Sequence, residues 1–211
     1  MLITYSSLPA SFSMSYRLPA PQLHPGSAMM STFKPAQLAG CFEIQPNIVE
    51  DNRGRFVKVF HADTFAEMGL ATEFSEEYYS HSKLGVIRGM HFQTPPAELT
   101  KLVYCVTGTV FDVLLDLRVG SPTFGQTETF TLSAAQGNYL YIPKGVAHGF
   151  CVTSASATLV YKVTNVYAPE YDAGLLWSSI NVDWPIATPI LSSRDANFMP
   201  LSQFQSPFIY E

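Results

Sequence analysis

Between residues 102 and 163 the chain breaks into short apolar runs separated by turn residues, and that rhythm commits it to strands. The clearest run is Thr109 to Leu117, where Phe111, Val113, Leu115 and Leu117 alternate with Asp112, Leu114, Asp116 and Arg118. Successive side chains of a strand point to opposite faces, so the first set predicts a core face and Asp112 points off it. Leu102 to Val106 precedes this run across Thr107-Gly108, a pair that reads as a hairpin turn. Phe56 to Phe60, Glu128 to Leu132, Tyr139 to Ile142, Gly149 to Val152 and Thr158 to Val163 read as further strands. One short helix is expected, Phe65 to Met68, capped by Asp63 or Thr64 and ended by Gly69. Many short strands with one helix predict an all-β sandwich or jelly roll, wrapped by an irregular tail after Tyr171.

A chain of 211 residues suits one such domain with a sizeable core. Residues 1–31 read differently, because Pro9, Pro19, Pro21, Pro25 and scattered Ser break every periodicity. This segment is expected to be a flexible leader, or a start placed ahead of the natural one at Met29 or Met30, with the folded domain over 32–211. Apolar residues make up 47% and charged residues 14%, which argues for a folded globule and against disorder. The net charge of -5 argues against a general nucleic-acid binder, but a few local cations can still line a pocket for an anion. There is no apolar run of the ~18 residues that a membrane span requires, and no secretory signal. Three cysteines, Cys41, Cys105 and Cys151, with no CxxC pair, read as small buried hydrophobes in a reducing, cytoplasmic setting.

The chemistry-bearing residues concentrate around Gly85-Val86-Ile87-Arg88-Gly89-Met90-His91-Phe92-Gln93-Thr94-Pro95-Pro96. Glycine at 85 and 89 and the closing Pro-Pro suggest a strand end or tight bend that presents one guanidinium and one imidazole. A neutral imidazole, with an ordinary pKa near ~6.5, can accept a proton at neutral pH. Tyr161 shares a strand face with Leu159 and Val163, so an inward direction is expected. Arg53, Arg88 and Arg194 are candidates for phosphate, which guanidinium groups bind through paired hydrogen bonds.

Arg88-Gly89-Met90-His91-Phe92-Gln93 is joined, in order, by Lys101, Gly108, Asp116-Leu117-Arg118, Ser121-Pro122-Thr123-Phe124-Gly125 and Tyr141 to Phe150. Together they resemble the dTDP-4-dehydrorhamnose 3,5-epimerase family over roughly residues 33 to 200. The resemblance implies a cupin-type jelly roll, a homodimer, and epimerisation at C3, C5 or both of a nucleotide-linked 4-keto-6-deoxy sugar. It implies no cofactor, because the ketone already acidifies the neighbouring C–H, and the missing HxH pair predicts no metal. By the same resemblance His91 is the catalytic base, Asp195 orients it, Lys101 stabilises the enolate and Tyr161 returns a proton from the opposite face. Arg53 lies in Asp51-Asn52-Arg53-Gly54-Arg55-Phe56, which looks like a family motif, and with Arg88, Arg194, His148 and Asp172 it is expected to hold the substrate.

The chain departs from the family pattern at Ser75-Glu76-Glu77-Tyr78-Tyr79-Ser80, where Gln and Asn often stand, at Lys58, and at Val166-Tyr167. Two rival readings follow. A metal-dependent cupin usually needs an HxH pair, but His91 is followed by Phe92-Gln93. A non-catalytic sugar-nucleotide binder would not need His91, Lys101, Tyr161 and Asp195 together.

Overall fold

The computed structural model describes residues 31–211, so the leader expected at 1–31 lies, but for Ser31, outside the described residues. In chain order the strands are β1 (Thr32–Pro35), β2 (Phe42–Gln45), β3 (Ile48–Asp51), β4 (Gly54–Val57), β5 (Glu76–Lys83), β6 (Ile87–Gln93) and β7 (Lys101–Thr107). They continue as β8 (Thr109–Asp116), β9 (Thr127–Ser133), β10 (Tyr139–Ile142), β11 (Val146–Val152), β12 (Ser156–Val163) and β13 (Asp172–Gly174). One sheet has the order β1-β2-β10-β7-β12-β5, a second β13-β6-β11-β8-β9, and β3–β4 is a separate hairpin. The pairings between these strands are antiparallel.

The two large sheets pack face to face as a jelly roll. Val103, Leu140, Ile142 and Leu159 of the first meet Val110, Leu114, Leu132 and Phe150 of the second in one buried cluster. Burying each such side chain contributes about 1.5–3 kcal/mol. Two further clusters cover the outer faces. Met90, Phe92, Val113, Leu115 and Leu117 pack under the tail residues Leu175, Ile180 and Phe208, while Ile44, Leu102, Tyr139 and Tyr141 pack against Phe65 of α1 (Ala62–Glu67).

This double coverage corrects the reading of β8. Phe111, Val113, Leu115 and Leu117 do share an apolar face, but it meets the tail rather than the opposing sheet. The set that includes Asp112 and Leu114 faces between the sheets, and both residues are fully buried. Central strands covered on both sides lose the simple alternation of a half-exposed strand.

Thr107-Gly108 is not a hairpin turn. β7 pairs with β10 and β12, and β8 with β9 and β11, so the chain crosses from one sheet to the other at this point. Gly108 has φ +78°, and a Cβ there would lie 2.0 Å from the Ser156 carbonyl oxygen. A sheet-crossing corner and a hairpin turn both call for glycine, so composition alone does not separate them.

Other boundaries also move. The Arg88–His91 segment lies inside a seven-residue strand rather than at its end, but the ladder to β11 slips by one residue here and Gly89 has φ +138°, so the backbone excursion expected of this glycine is present. The strand expected over 56–60 ends at Val57, and Phe60 turns inward against Phe65 and Phe74. α1 begins at Ala62 with His61 as N-cap and no side-chain cap bond, and Gly69 ends it as expected. A second short helix, α2 (Ser193–Ala196), lies in the tail. The three cysteines are buried and free. Among the described residues no helix is long and apolar enough to cross a membrane.

Candidate active site

A cavity of about 390 Å³ opens between the sheets. The five-stranded sheet supplies Arg88 and His91 from β6 and His148 from β11. The six-stranded sheet supplies Lys101 from β7, Tyr161 from β12, and Glu76, Tyr78 and Ser80 from β5. Tyr167, Asp172 and Arg194 close one side. His91 and Tyr161 therefore reach the same space from opposite layers.

The local geometry explains how His91 is held. Its Nε2 lies 3.0 Å from Asp195 Oδ1, and Asp195 Oδ2 accepts from the Gly89 N–H at 3.2 Å. Asp195 is placed by α2, where the Ser192 Oγ caps the helix by accepting from the Asp195 N–H at 3.0 Å. Gly89 permits a close strand contact, because a Cβ there would meet Gly149 Cα at 2.4 Å. A carboxylate fixed beside Nε2 calls for a proton on that nitrogen, so we assign the Nε2–H tautomer, with Nδ1 as the basic atom. Arg194 Nη2 also lies 3.0 Å from Nε2 and cannot donate to it in this tautomer. It acts there as a neighbouring charge, anchored by Asp172 at 2.5 Å.

These contacts set the proton affinities. Burial lowers the His91 pKa below 6.5. The Asp195 bond and charge pull it back up, while Arg194 and Lys101 push it further down. Burial on its own would raise Asp195, but the His91 hydrogen bond and charge and the Gly89 N–H outweigh it and hold the carboxyl at about 2. Lys101 is buried, and the loss of solvation lowers its ammonium to about 8 against the pull of Asp172 and Asp112. Its Nζ donates to the His91 carbonyl oxygen at 3.1 Å. Burial raises the Tyr161 phenol well above its ordinary range, so it stays protonated at neutral pH. Its hydroxyl lies 3.4 Å from Ser80 Oγ.

His148 forms a second imidazole–carboxylate pair, with Nε2 2.8 Å from Asp112 Oδ2. Burial raises the Asp112 carboxyl against the pull of His148 and Lys101. Arg88 Nε donates to Ser82 Oγ at 3.0 Å.

Seven of the expected residues thus line one cavity: His91, Lys101, Tyr161, Arg88, His148, Asp172 and Arg194. Asp195 stands directly behind His91. Arg53 is not brought to them. It sits at the tip of the β3–β4 hairpin, its side chain 86% exposed and paired with Asp51 at 2.5 Å. Tyr78 and Ser80, which the sequence shows only as part of a departure from the family pattern, also line the cavity. Sequence reasoning passed over α2, although Ser192 three residues before Asp195 is a helix-start signature.

A carboxylate-held imidazole, a buried phenol and a buried ammonium around one cavity form a set that can move a proton next to a carbonyl, and comparison with known proteins points the same way. The family model for dTDP-4-dehydrorhamnose 3,5-epimerase matches residues 35–203. A dTDP-4-dehydrorhamnose 3,5-epimerase of Shigella flexneri is 46% identical over 72% of this chain and 86% of its own length. A dTDP-4-dehydrorhamnose 3-epimerase of Streptomyces niveus is 40% identical over 81% of this chain and 84% of its own. The crystal structure of a Legionella pneumophila dTDP-6-deoxy-D-glucose-3,5-epimerase in complex with dTDP-4-keto-L-rhamnose superposes with a TM-score of 0.82. That pair is 36% identical, covering 86% of this chain and 99% of the other. The chain therefore belongs to the dTDP-4-dehydrorhamnose 3,5-epimerase family and is an isomerase, a carbohydrate epimerase with the cupin jelly-roll fold.

Proposed function

We propose that this chain inverts C3 and C5 of a dTDP-linked 4-keto-6-deoxyhexose, with His91 as base and Tyr161 as acid. The observation that carries the assignment is that the two groups line one cavity from opposite sheets. His91 Nδ1 takes the proton from the carbon next to the ketone; the C–H pair becomes the C=C bond of the enolate, and the C=O π pair moves onto the carbonyl oxygen. The Lys101 ammonium stabilises that charge as it forms. Tyr161 then donates its proton to the other face of the same carbon, and the pair on oxygen returns to restore the ketone. An imidazolium and a phenolate remain, and proton exchange with solvent resets both. A single base would tend to return the proton to the face it came from, so inversion needs the second group.

Arg88 and Arg194 suit the diphosphate, since guanidinium groups pair with phosphate oxygens and stay charged. His148, held by buried Asp112, and Asp172 suit the sugar. Arg53 has no part in this single-chain site. A homodimer is part of the proposal, supported by β1, β5, β9 and β13 standing at sheet edges among the described residues and by exposed Phe56 and Tyr79. A cytoplasmic setting is supported by the three free cysteines.

The test uses dTDP-4-keto-6-deoxyglucose in deuterated buffer, read by proton NMR. Deuterium should enter at C3 and C5 as the product accumulates. Turnover with no solvent deuterium in the sugar would rule the mechanism out.

A further inference from the structure

β5 is an edge of the six-stranded sheet, and its Tyr78 stands directly opposite Tyr161 in the β5–β12 register. The two rings stack with centroids 4.9 Å apart and planes 15° apart. Tyr161 is 7% exposed and Tyr78 43%, so one ring is enclosed while the other still meets the cavity.

Within the core cluster that encloses Tyr161, three ring or hydrogen-bond partners meet its phenol. The His148 ring stands edge-on with centroids 6.0 Å apart and planes at 65°. Ser80 Oγ lies 3.4 Å from the hydroxyl, a separation too long to fix a ring by itself. Tyr78 covers a ring face. A parallel neighbour at this distance opposes rotation about χ2, because turning the phenol drives its edge into the adjacent face. Of the three, only Tyr78 both touches the flat of the ring and lies on the strand paired with its own.

We propose that Tyr78 is a positioning residue for the epimerisation: its ring holds the Tyr161 phenol in the orientation that returns the proton to the sugar. This rests on the assignment of Tyr161 as the acid. Tyr78 acts through its flat face, so its hydroxyl is dispensable. Proton removal by His91, on the opposite sheet, does not depend on it.

The experiment compares Tyr78→Ala, Tyr78→Leu, Tyr78→Phe and Tyr161→Phe in the full chain. Each is incubated with dTDP-4-keto-6-deoxyglucose in deuterated buffer, and deuterium wash-in is scored separately from epimer formation. The ratio of inversion to wash-in counts only working molecules, so partial unfolding leaves it unchanged. Tyr78→Ala should keep wash-in while the ratio falls about 10- to 100-fold, the scale of a misplaced reacting group. Tyr78→Leu, which keeps apolar bulk without a flat ring, should behave alike, and Tyr78→Phe should restore the normal ratio. An unchanged ratio in Tyr78→Ala or Tyr78→Leu would overturn the proposal. So would a loss in Tyr78→Phe as large as in Tyr78→Ala, since the hydroxyl would then be the acting group. Tyr161→Phe separates the two layers of inference. If it inverts at the normal ratio, the acid assignment itself fails. If it loses inversion while Tyr78→Ala does not, only the positioning role fails.

Discussion

His91 and His148 are direct register partners across the β6–β11 ladder, and each meets a carboxylate through Nε2, Asp195 for the first and Asp112 for the second. The two pairs differ in access: His148 and Asp112 are both buried, whereas His91 keeps part of its ring open to the cavity. A proton acceptor must reach its substrate, and this difference in access supports the proposed assignment of His91, rather than His148, as the base.

His91→Ala should therefore abolish both deuterium wash-in and epimer formation, with a loss of at least ~100-fold expected for a general base. Wash-in near the wild-type rate would show that another group removes the proton.

Asp195→Asn keeps the imidazole but weakens its orientation. We expect a loss of about 10- to 100-fold, smaller than the full contribution of the base. An acid-stability measurement gives a second check. The folded-state pKa is depressed to about 2, so the stabilisation Asp195 contributes is present above the ordinary carboxyl range and is lost as pH falls through about 2. In Asp195→Asn that share of the acid-induced destabilisation should vanish.

The pH profile of kcat/KM should be bell-shaped. In the proposed mechanism His91 is a neutral base and its pKa lies below 6.5, so the acid limb falls below 6.5. In the same mechanism Lys101 is a cation and loses its charge at about 8, so the alkaline limb falls near 8. Lys101→Met should lower turnover and remove that limb. Activity still rising well past pH 9 in the parent chain would count against the role of Lys101.

Arg194→Gln tests the neighbouring charge. Removing a guanidinium 3.0 Å from His91 Nε2 makes protonation of the ring easier, so the acid limb should move up toward 6.5. Histidine titration by NMR reads the same shift without turnover. No movement would mean that solvent screens the pair completely.

Gly108→Ala tests the corner between the sheets. A positive φ and a Cβ placed 2.0 Å from a carbonyl oxygen should together cost on the order of 2–4 kcal/mol. Urea unfolding measures it, and a change under about 0.5 kcal/mol would show that the corner relaxes freely.

Much of this architecture was legible from periodicity. Tyr139–Ile142 appears as read, and Leu159, Tyr161 and Val163 do share the buried face of β12. What stayed hidden depended on contacts distant in the chain. Gly108 signals a turn, but only the partners of β7 and β8 reveal a crossing between sheets. Asp195 looks like a surface acid until α2 carries it to Gly89, more than a hundred residues away. Arg53 belongs to a recognisable motif, yet the hairpin places it in solvent. Tyr78 shows in the sequence only as part of a departure from the family pattern, and the β5 register is what sets it on Tyr161.

The placement of His91 on one sheet and Tyr161 on the other has a mechanical corollary. In the proposed mechanism the gap that the reacting carbon must span is the thickness of the sandwich core, which Leu114, Phe150 and Leu159 help to set. Stereochemical fidelity is therefore sensitive to side chains that never touch the sugar. A core substitution that lets the layers settle closer or drift apart would change the balance between inversion and simple proton return, even with every polar group of the site intact.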